Sequence, residues 1–178
     1  MKGNTPNRTL IISHWILALS ILFLFVSSWW MLALPLPSDE FTYRALPFQL
    51  HKNIGISLLL LLVVLFSSGV NSKNGKLLKQ PGWIRKLALL DHIVVYFLIV
   101  LSCLSGYLSS SFSGWDTSFW WFIDLPAWGE ENEALNILFS DIHMWACWLL
   151  LAVISVHISA ALYHAFLNDG VIERMFRL

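Results

Sequence analysis

Four long apolar runs, at about residues 10–34, 53–70, 87–108 and 142–167, alternate along the chain with polar stretches. Each reaches or approaches the roughly 20 apolar residues a helix needs to cross a hydrocarbon core, where an open backbone finds no water to bond. The second run is marginal at its ends, and tilt or flanking anchors complete it. The pattern predicts an all-α membrane protein: one domain over residues 1–178, folded as a four-transmembrane-helix bundle with short connections. No internal repeat or low-complexity tract breaks it. The exception among the connections, at about 109–140, carries Trp115, Trp120, Trp121 and Trp128, then the acidic Glu130, Glu131 and Glu133, then apolar Leu135, Ile137, Leu138 and Phe139. Aromatics of this kind suit the headgroup level, so part of this loop is expected on the outer membrane surface. A docking surface for a partner protein is the alternative.

Composition sharpens this picture. Of 178 residues, 57% are hydrophobic and only 12% charged, too apolar for a soluble domain of this size. The formal net charge is zero, yet the charges are segregated. Lys2 and Arg8 precede the first run, Lys73, Lys76, Lys79, Arg85 and Lys86 lie between the second and third, and Arg174 and Arg177 follow the fourth. By the positive-inside rule these segments, and both termini, are cytoplasmic. The opposite loops hold only Arg44 and Lys52 as cations, against Asp39, Glu40, Asp116, Asp124, Glu130, Glu131, Glu133 and Asp141. The expected setting is multi-pass in a cytoplasmic membrane, in contact with lipid, with no nucleic acid as partner. The first run is too long for a signal h-region and reaches Trp29, Trp30 and Pro35 without a small-residue cleavage site, so it is expected to stay as helix one. Cys103 and Cys147 lie within apolar segments, where packing is their expected role, and no CxxCH is present for covalent haem attachment.

Within the apolar runs the informative chemistry is histidine. Neutral imidazole is the usual axial ligand of b-type haem, and two imidazoles from facing helices hold one iron. With the termini inside, helix one rises and helix four descends, so His14 and His157 share the cytoplasmic half and form an inner pair. His51, opening helix two, and His143, opening helix four, form an outer pair. On helix four the 14 residues from His143 to His157 return to within about 40° of one face and separate the two by roughly 21 Å. One helix can therefore serve two stacked bis-histidine haems. Four positions beyond these histidines stand Ala18, Gly55, Cys147 and Ala161, all small, which leaves clearance for a porphyrin beside each ligand. A lone membrane histidine is equally well read as a hydrogen-bonded interior group. The matched pairs favour haem over the rival of a non-haem proton or metal transporter, because the pairs are too far apart for one metal and Asp91 is the lone buried carboxylate for a relay.

His92 and His164 lack a small residue at that offset, having Tyr96 and Asn168. Two roles are open to them. They cap the bundle at the interface and hydrogen-bond haem propionates, or, with Asp91, they exchange protons with a quinone beside the inner haem. Lys73, Arg85 and Lys86 are the nearest cations for propionates.

Several segments together resemble the bacterial cytochrome b561 family, small diheme b-type membrane cytochromes related to the cytochrome subunits of hydrogenases. They are Ser13-His14-Trp15, Leu50-His51-Lys52-Asn53-Ile54-Gly55, Asp91-His92 through Tyr96, Gly106-Tyr107, Ile123-Asp124-Leu125-Pro126, Asp141-Ile142-His143, and His157 through His164. The likeness covers nearly the whole chain. The Trp-rich outer loop is most similar to the branch found beside a periplasmic lipid-binding protein. The resemblance implies two haem b groups, with one held by His14 and His157 and the other by His51 and His143. It also implies electron exchange between the outer face and the membrane quinone pool, and in part of the family the oxidation of superoxide at that face. One departure stands out: many members carry arginines near the cytoplasmic end of helix two, where this chain reads Leu65-Phe66-Ser67-Ser68-Gly69-Val70-Asn71.

The expected function is transmembrane electron transfer between a periplasmic-side donor or acceptor and quinone. The enzymatic rival is superoxide oxidation at the outer face coupled to ubiquinone reduction. Lys52, beside His51, and Arg44 offer a positive site for a small anion. The acidic remainder of that face suits a cationic protein donor or a partner on the Trp-rich loop.

Overall fold

The computed structural model describes residues 8–34, 45–69, 82–115, 117–170 and 176. Among them, four helices are long and apolar enough to cross a membrane. These are α1 (Arg8–Ala33), α2 (Ala45–Gly69), α3 (Gly82–Phe112) and α4 (Glu133–Leu167). A small antiparallel hairpin, β1 (Thr117–Phe119) and β2 (Ile123–Leu125), joins α3 to α4, pairing Thr117 with Leu125 and Phe119 with Ile123. The four-helix membrane architecture is the one the hydropathy pattern predicts. With an even number of spans, the outer ends of α1 and α4 share one end of the bundle, the terminal end, and the hairpin marks the other.

Three helices begin before their apolar runs. α2 starts at Ala45 and not near residue 53, α3 at Gly82 and not near 87, and α4 at Glu133 and not near 142. Hydropathy finds only the part of a helix that needs hydrocarbon, whereas α2 and α4 continue into the interface, where their polar residues find partners. In α2, Pro47 sits in the first turn, where its missing N–H removes no intrahelical bond. In α4, the Asn132 cap accepts the Leu135 N–H at 3.0 Å, Asn136 donates to the Ser109 carbonyl at 2.8 Å, and Phe139 stacks on Phe112 with ring centroids 5.9 Å apart. His51 and His143 therefore do not open their helices, as the hydrophobic pattern predicts, but lie inside them. The 109–140 connection shrinks accordingly to the segment between Phe112 and Glu133. At its far end α4 stops on Asn168, whose left-handed conformation (φ 54°) turns its N–H back to the Ala165 carbonyl.

The core lies midway along the bundle, where Leu17, Leu58, Leu62, Leu98, Ile99 and Leu150 meet. It separates the histidines near the terminal end from those near the hairpin. Large apolar side chains on every helix face outward, Leu19, Val63, Phe97 and Val156 among them. That surface is matched to lipid tails, which are as apolar as the side chains. The helices are not equally close. α4 lies tightly along α3, with Ser109 against Ser140 (2.8 Å) and Gly106 against His143, while α1 pairs with α2 and stands off from α4.

Candidate functional site

The histidines collect at two levels. Near the terminal end the rings of His14 (α1) and His157 (α4) have centroids 6.3 Å apart at an interplanar angle of 41°. Near the hairpin end those of His51 (α2) and His143 (α4) are 6.2 Å apart at 78°. The structure thus brings together both pairs that depth along the helices points to. Each pair bridges α4 to a helix it does not pack against closely, so the rings span a gap that backbone contact leaves open.

Within each pair one ring is anchored and the other is not. His157 Nδ1 donates to Asp91 Oδ2 at 2.6 Å, and His143 Nδ1 donates to the Ser102 carbonyl at 2.8 Å. Both bonds point the Nε2 edge of an α4 histidine away from α3. By contrast, Nδ1 of His14 and Nδ1 of His51 are buried without a hydrogen-bonding partner among the described residues. A buried polar nitrogen left so costs about 1–3 kcal/mol.

Around His143 the fit is close. A Cβ on Gly106 would lie 3.0 Å from its Nδ1, so a glycine is what lets α3 pass the ring. Cys147 Sγ is 3.6 Å from its Nε2. Of the small residues four positions beyond the paired histidines, Cys147 touches its imidazole, while Gly55 has no atom within 4 Å of where a Cβ would stand. Cys103 packs its thiol onto the Gly55 carbonyl at 3.3 Å.

The hairpin closes over this level. Asn53, fully buried, accepts the Trp120 N–H at 3.0 Å, the Trp120 indole donates to Ser57 at 3.0 Å, and Lys52 donates to Thr117 at 3.4 Å. Trp120 and Trp121 both have left-handed backbones, φ 48° and 61°. Such conformations cost non-glycine residues about 1–3 kcal/mol each and persist only when neighbours hold them. The segment is tied to α3 as well, by Ser110 against Thr117 at 2.9 Å and Tyr107 donating to the Pro126 carbonyl at 2.6 Å, while Trp115, Trp121, Phe122 and Trp128 remain exposed.

The remaining candidates separate into groups. Asp91 and His92 are together, with His92 Nδ1 3.8 Å from Asp91 Oδ2 and its ring 5.2 Å from that of His157. The nearer partner of His92 Nδ1 is the Ala88 carbonyl at 2.6 Å. His164 is not part of this cluster: its Nδ1 bonds Asp169 at 2.5 Å. Arg85 and Lys86 are exposed near the start of α3. Arg44 and Lys73 lie outside the described residues, as do Asp39, Glu40 and Asp116. The hydrophobic pattern misses the anchors Asp91 and Ser102, the contact at Gly106 and the tether at Asn53. Asp91 carried the one usable signal, a lone acid in an apolar run. A backbone carbonyl or a glycine clearance carries none.

Comparison with known proteins agrees with this arrangement. The family model described as prokaryotic cytochrome b561 matches residues 7–178. The chain is also 30% identical over 177 residues to cytochrome b561 homolog 2 of Escherichia coli (strain K12), covering 97% of this chain and 93% of that protein. A shared family over nearly the full length, with paired imidazoles between membrane-spanning helices, leads to one conclusion: the chain belongs to the prokaryotic cytochrome b561 family, transmembrane b-type cytochromes of electron transfer.

Proposed function

We propose that this chain binds two haem b groups, one between His14 and His157 and one between His51 and His143, and passes electrons between the hairpin face and membrane quinone. The observation that carries this reading is the pair of ring separations, 6.3 and 6.2 Å. Imidazoles bound at about 2 Å on opposite sides of one iron have ring centroids about 6 Å apart. The stand-off of α1 from α4 supports it, as do the open space beside Gly55 and the α4 rings held on α3 through Nδ1. Haem supplies the one-electron chemistry when bound. The chain's own part is to hold the rings, shut water from the mid-bundle core and set the electrostatics at each level. In this reading the terminal end is cytoplasmic, the hairpin end periplasmic, and the membrane the inner membrane of a bacterium. The quinone is placed at the terminal-end level, beside His92.

A metal-transport reading has one observation in its favour, since ligand atoms of Asp91, His92 and His157 all lie within 4.8 Å of one another. It leaves His14, His51 and His143 without a role. Superoxide as the substrate at the hairpin face rests on Lys52 beside His51, and superoxide-dependent quinone reduction by purified protein tests it. The diheme reading itself is tested by a reduced-minus-oxidised spectrum with pyridine haemochrome quantitation. Two b haems per chain are expected, falling to one in His51→Ala. Retention of both in that variant would overturn the pairing, and metal uptake without haem absorption would favour the transporter.

A further inference from the structure

Asp91 is the only carboxylate bonded to any of the four paired histidines among the described residues. Its Oδ2 accepts from His157 Nδ1 at 2.6 Å, and the two side chains are partly buried, 21% and 30% exposed. His143, on the same helix and in the equivalent place at the other level, bonds a neutral peptide carbonyl instead. Among the described residues no lysine or arginine forms an ion pair with Asp91, whose partners are His157 and, at 3.8 Å, His92. The negative charge at this position is therefore spent on imidazole rather than on a neighbouring cation.

We propose that Asp91 is a positioning residue for the haem at the terminal end, and that its charge, acting through His157, holds that haem at a lower midpoint potential than a neutral partner would. The inference rests on the diheme reading. A carboxylate on the far nitrogen fixes the ring orientation and tautomer and makes the ligating nitrogen more basic. A more basic ligand favours the ferric iron, which carries one more positive charge than the ferrous. The nearby negative charge acts in the same direction, and at membrane depth it is weakly screened. Both effects stabilise the oxidised state and lower the potential. The hairpin level receives only the weaker polarisation of a neutral carbonyl on His143 Nδ1, and no charge. This also reassigns the acid. The hydrophobic pattern leaves Asp91 free to exchange protons with a quinone, whereas its shortest contact here is to a ring set for iron.

The experiment is a redox titration of the purified full chain, with the visible spectrum reporting both haems, on wild type and Asp91→Asn. Asparagine keeps a carbonyl oxygen for the His157 N–H and removes the charge. The wave that His14→Ala abolishes identifies the terminal-end haem. Its midpoint should rise in Asp91→Asn while the other wave stays in place. A tenfold change in ferric-over-ferrous preference would read as about 59 mV for this one-electron couple. The low-spin ferric EPR signal of the same haem should move toward that of a neutral bis-imidazole centre, which a purely structural role would not require. If Asp91→Asn does not accumulate, Asp91→Ser, which still accepts a hydrogen bond without charge, is read the same way. Asp91→Glu, which keeps the charge, should stay closer to wild type. Two haems with an unmoved terminal-end midpoint in the neutral variants would overturn the role of Asp91 and leave the diheme reading standing. Fewer than two haems in wild type would overturn that reading itself.

Discussion

The two histidine levels are built on one helix but finished differently. Near the hairpin, His143 is gripped by backbone: a carbonyl of Ser102 on its Nδ1 and the bare Cα of Gly106 against its ring, with Asn53 and Trp120 closing the level from outside. Near the termini, His157 is gripped by the side chain of Asp91, with His92 beside it and, among the described residues, no strand above it. The difference teaches that the bundle repeats its geometry but not its electrostatics. Ring separations agree to 0.1 Å (6.3 against 6.2 Å) while the anchor changes from an acidic side chain to a peptide carbonyl. A backbone anchor survives any substitution that keeps the helix. A side-chain anchor can be removed by one.

The largest break of this symmetry comes from deleting the anchored ligands one at a time. His143→Ala and His157→Ala should each lose one haem and keep the other, and pyridine haemochrome assay of the purified variants checks it. They should also differ from each other. His157→Ala strips Asp91 of its main partner and leaves a part-buried carboxylate in a membrane helix, whereas His143→Ala returns the Ser102 carbonyl to an ordinary helical bond. His157→Ala should therefore lower thermal stability more. Equal losses would mean that Asp91 finds water as readily as it finds His157.

Gly106→Ala is the next sharpest, because it touches one level alone. The added Cβ would sit 3.0 Å from Nδ1 and 3.1 Å from Cε1 of His143, so the ring must move against its bond to Ser102. Overpacking of this kind costs about 1–3 kcal/mol, and a displaced ligand should weaken the hairpin-level haem while the terminal-end haem keeps its spectrum. Separate quantitation of the two bands in a reduced spectrum decides it. Weakening of both would show that α3 carries strain along its length and does not absorb it at Gly106.

Smaller again is the effect of Asn53→Ala on the hairpin. It removes the acceptor for the Trp120 N–H, leaving two left-handed tryptophans without one of the contacts that hold them. A hydrogen bond of this kind contributes about 1 kcal/mol, which corresponds to roughly fivefold faster amide exchange at Trp120. Exchange at α3 and α4 amides should not change. The comparison would fail in an instructive way if exchange quickened throughout the hairpin end, since the cover would then be holding the helices and not only lying on them.

Much of this was legible in the hydrophobic pattern and some of it could not be. The four spans, the two levels and the sharing of α4 follow from run length and from 14 residues at 100° each, since period and rise are properties of the helix alone. Where α2 and α4 begin did not follow. Asn132 and Asn136 look like loop until their partners on α3 are known, and the turns of α2 before His51 form no continuous apolar run of their own. For the same reason Asp91 was visible as an odd acid but not as the partner of His157, 66 positions away in sequence. Gly106 matters only because another helix passes it.

The slightest expected change tests how much of the hairpin level is chemistry and how much is room. Cys147 Sγ stands 3.6 Å from His143 Nε2, close enough for a weak sulfur contact and on the edge of the ring that would face iron. If the residue is there for its size, Cys147→Ala keeps the clearance, loses about 1 kcal/mol or less of packing and leaves both haems with wild-type spectra. Cys147→Leu, one turn along the same face, should then exclude the hairpin-level haem while Cys147→Ala retains it. If the thiol instead holds the ring, the order changes. Cys147→Ala would broaden or shift the hairpin-level band, and Cys147→Ser, of nearly the same size with a better hydrogen-bonding group, would restore it. Spectra of the three variants side by side separate room from contact at a position where the terminal level, with Ala161 at the same offset from His157, has already dispensed with the sulfur.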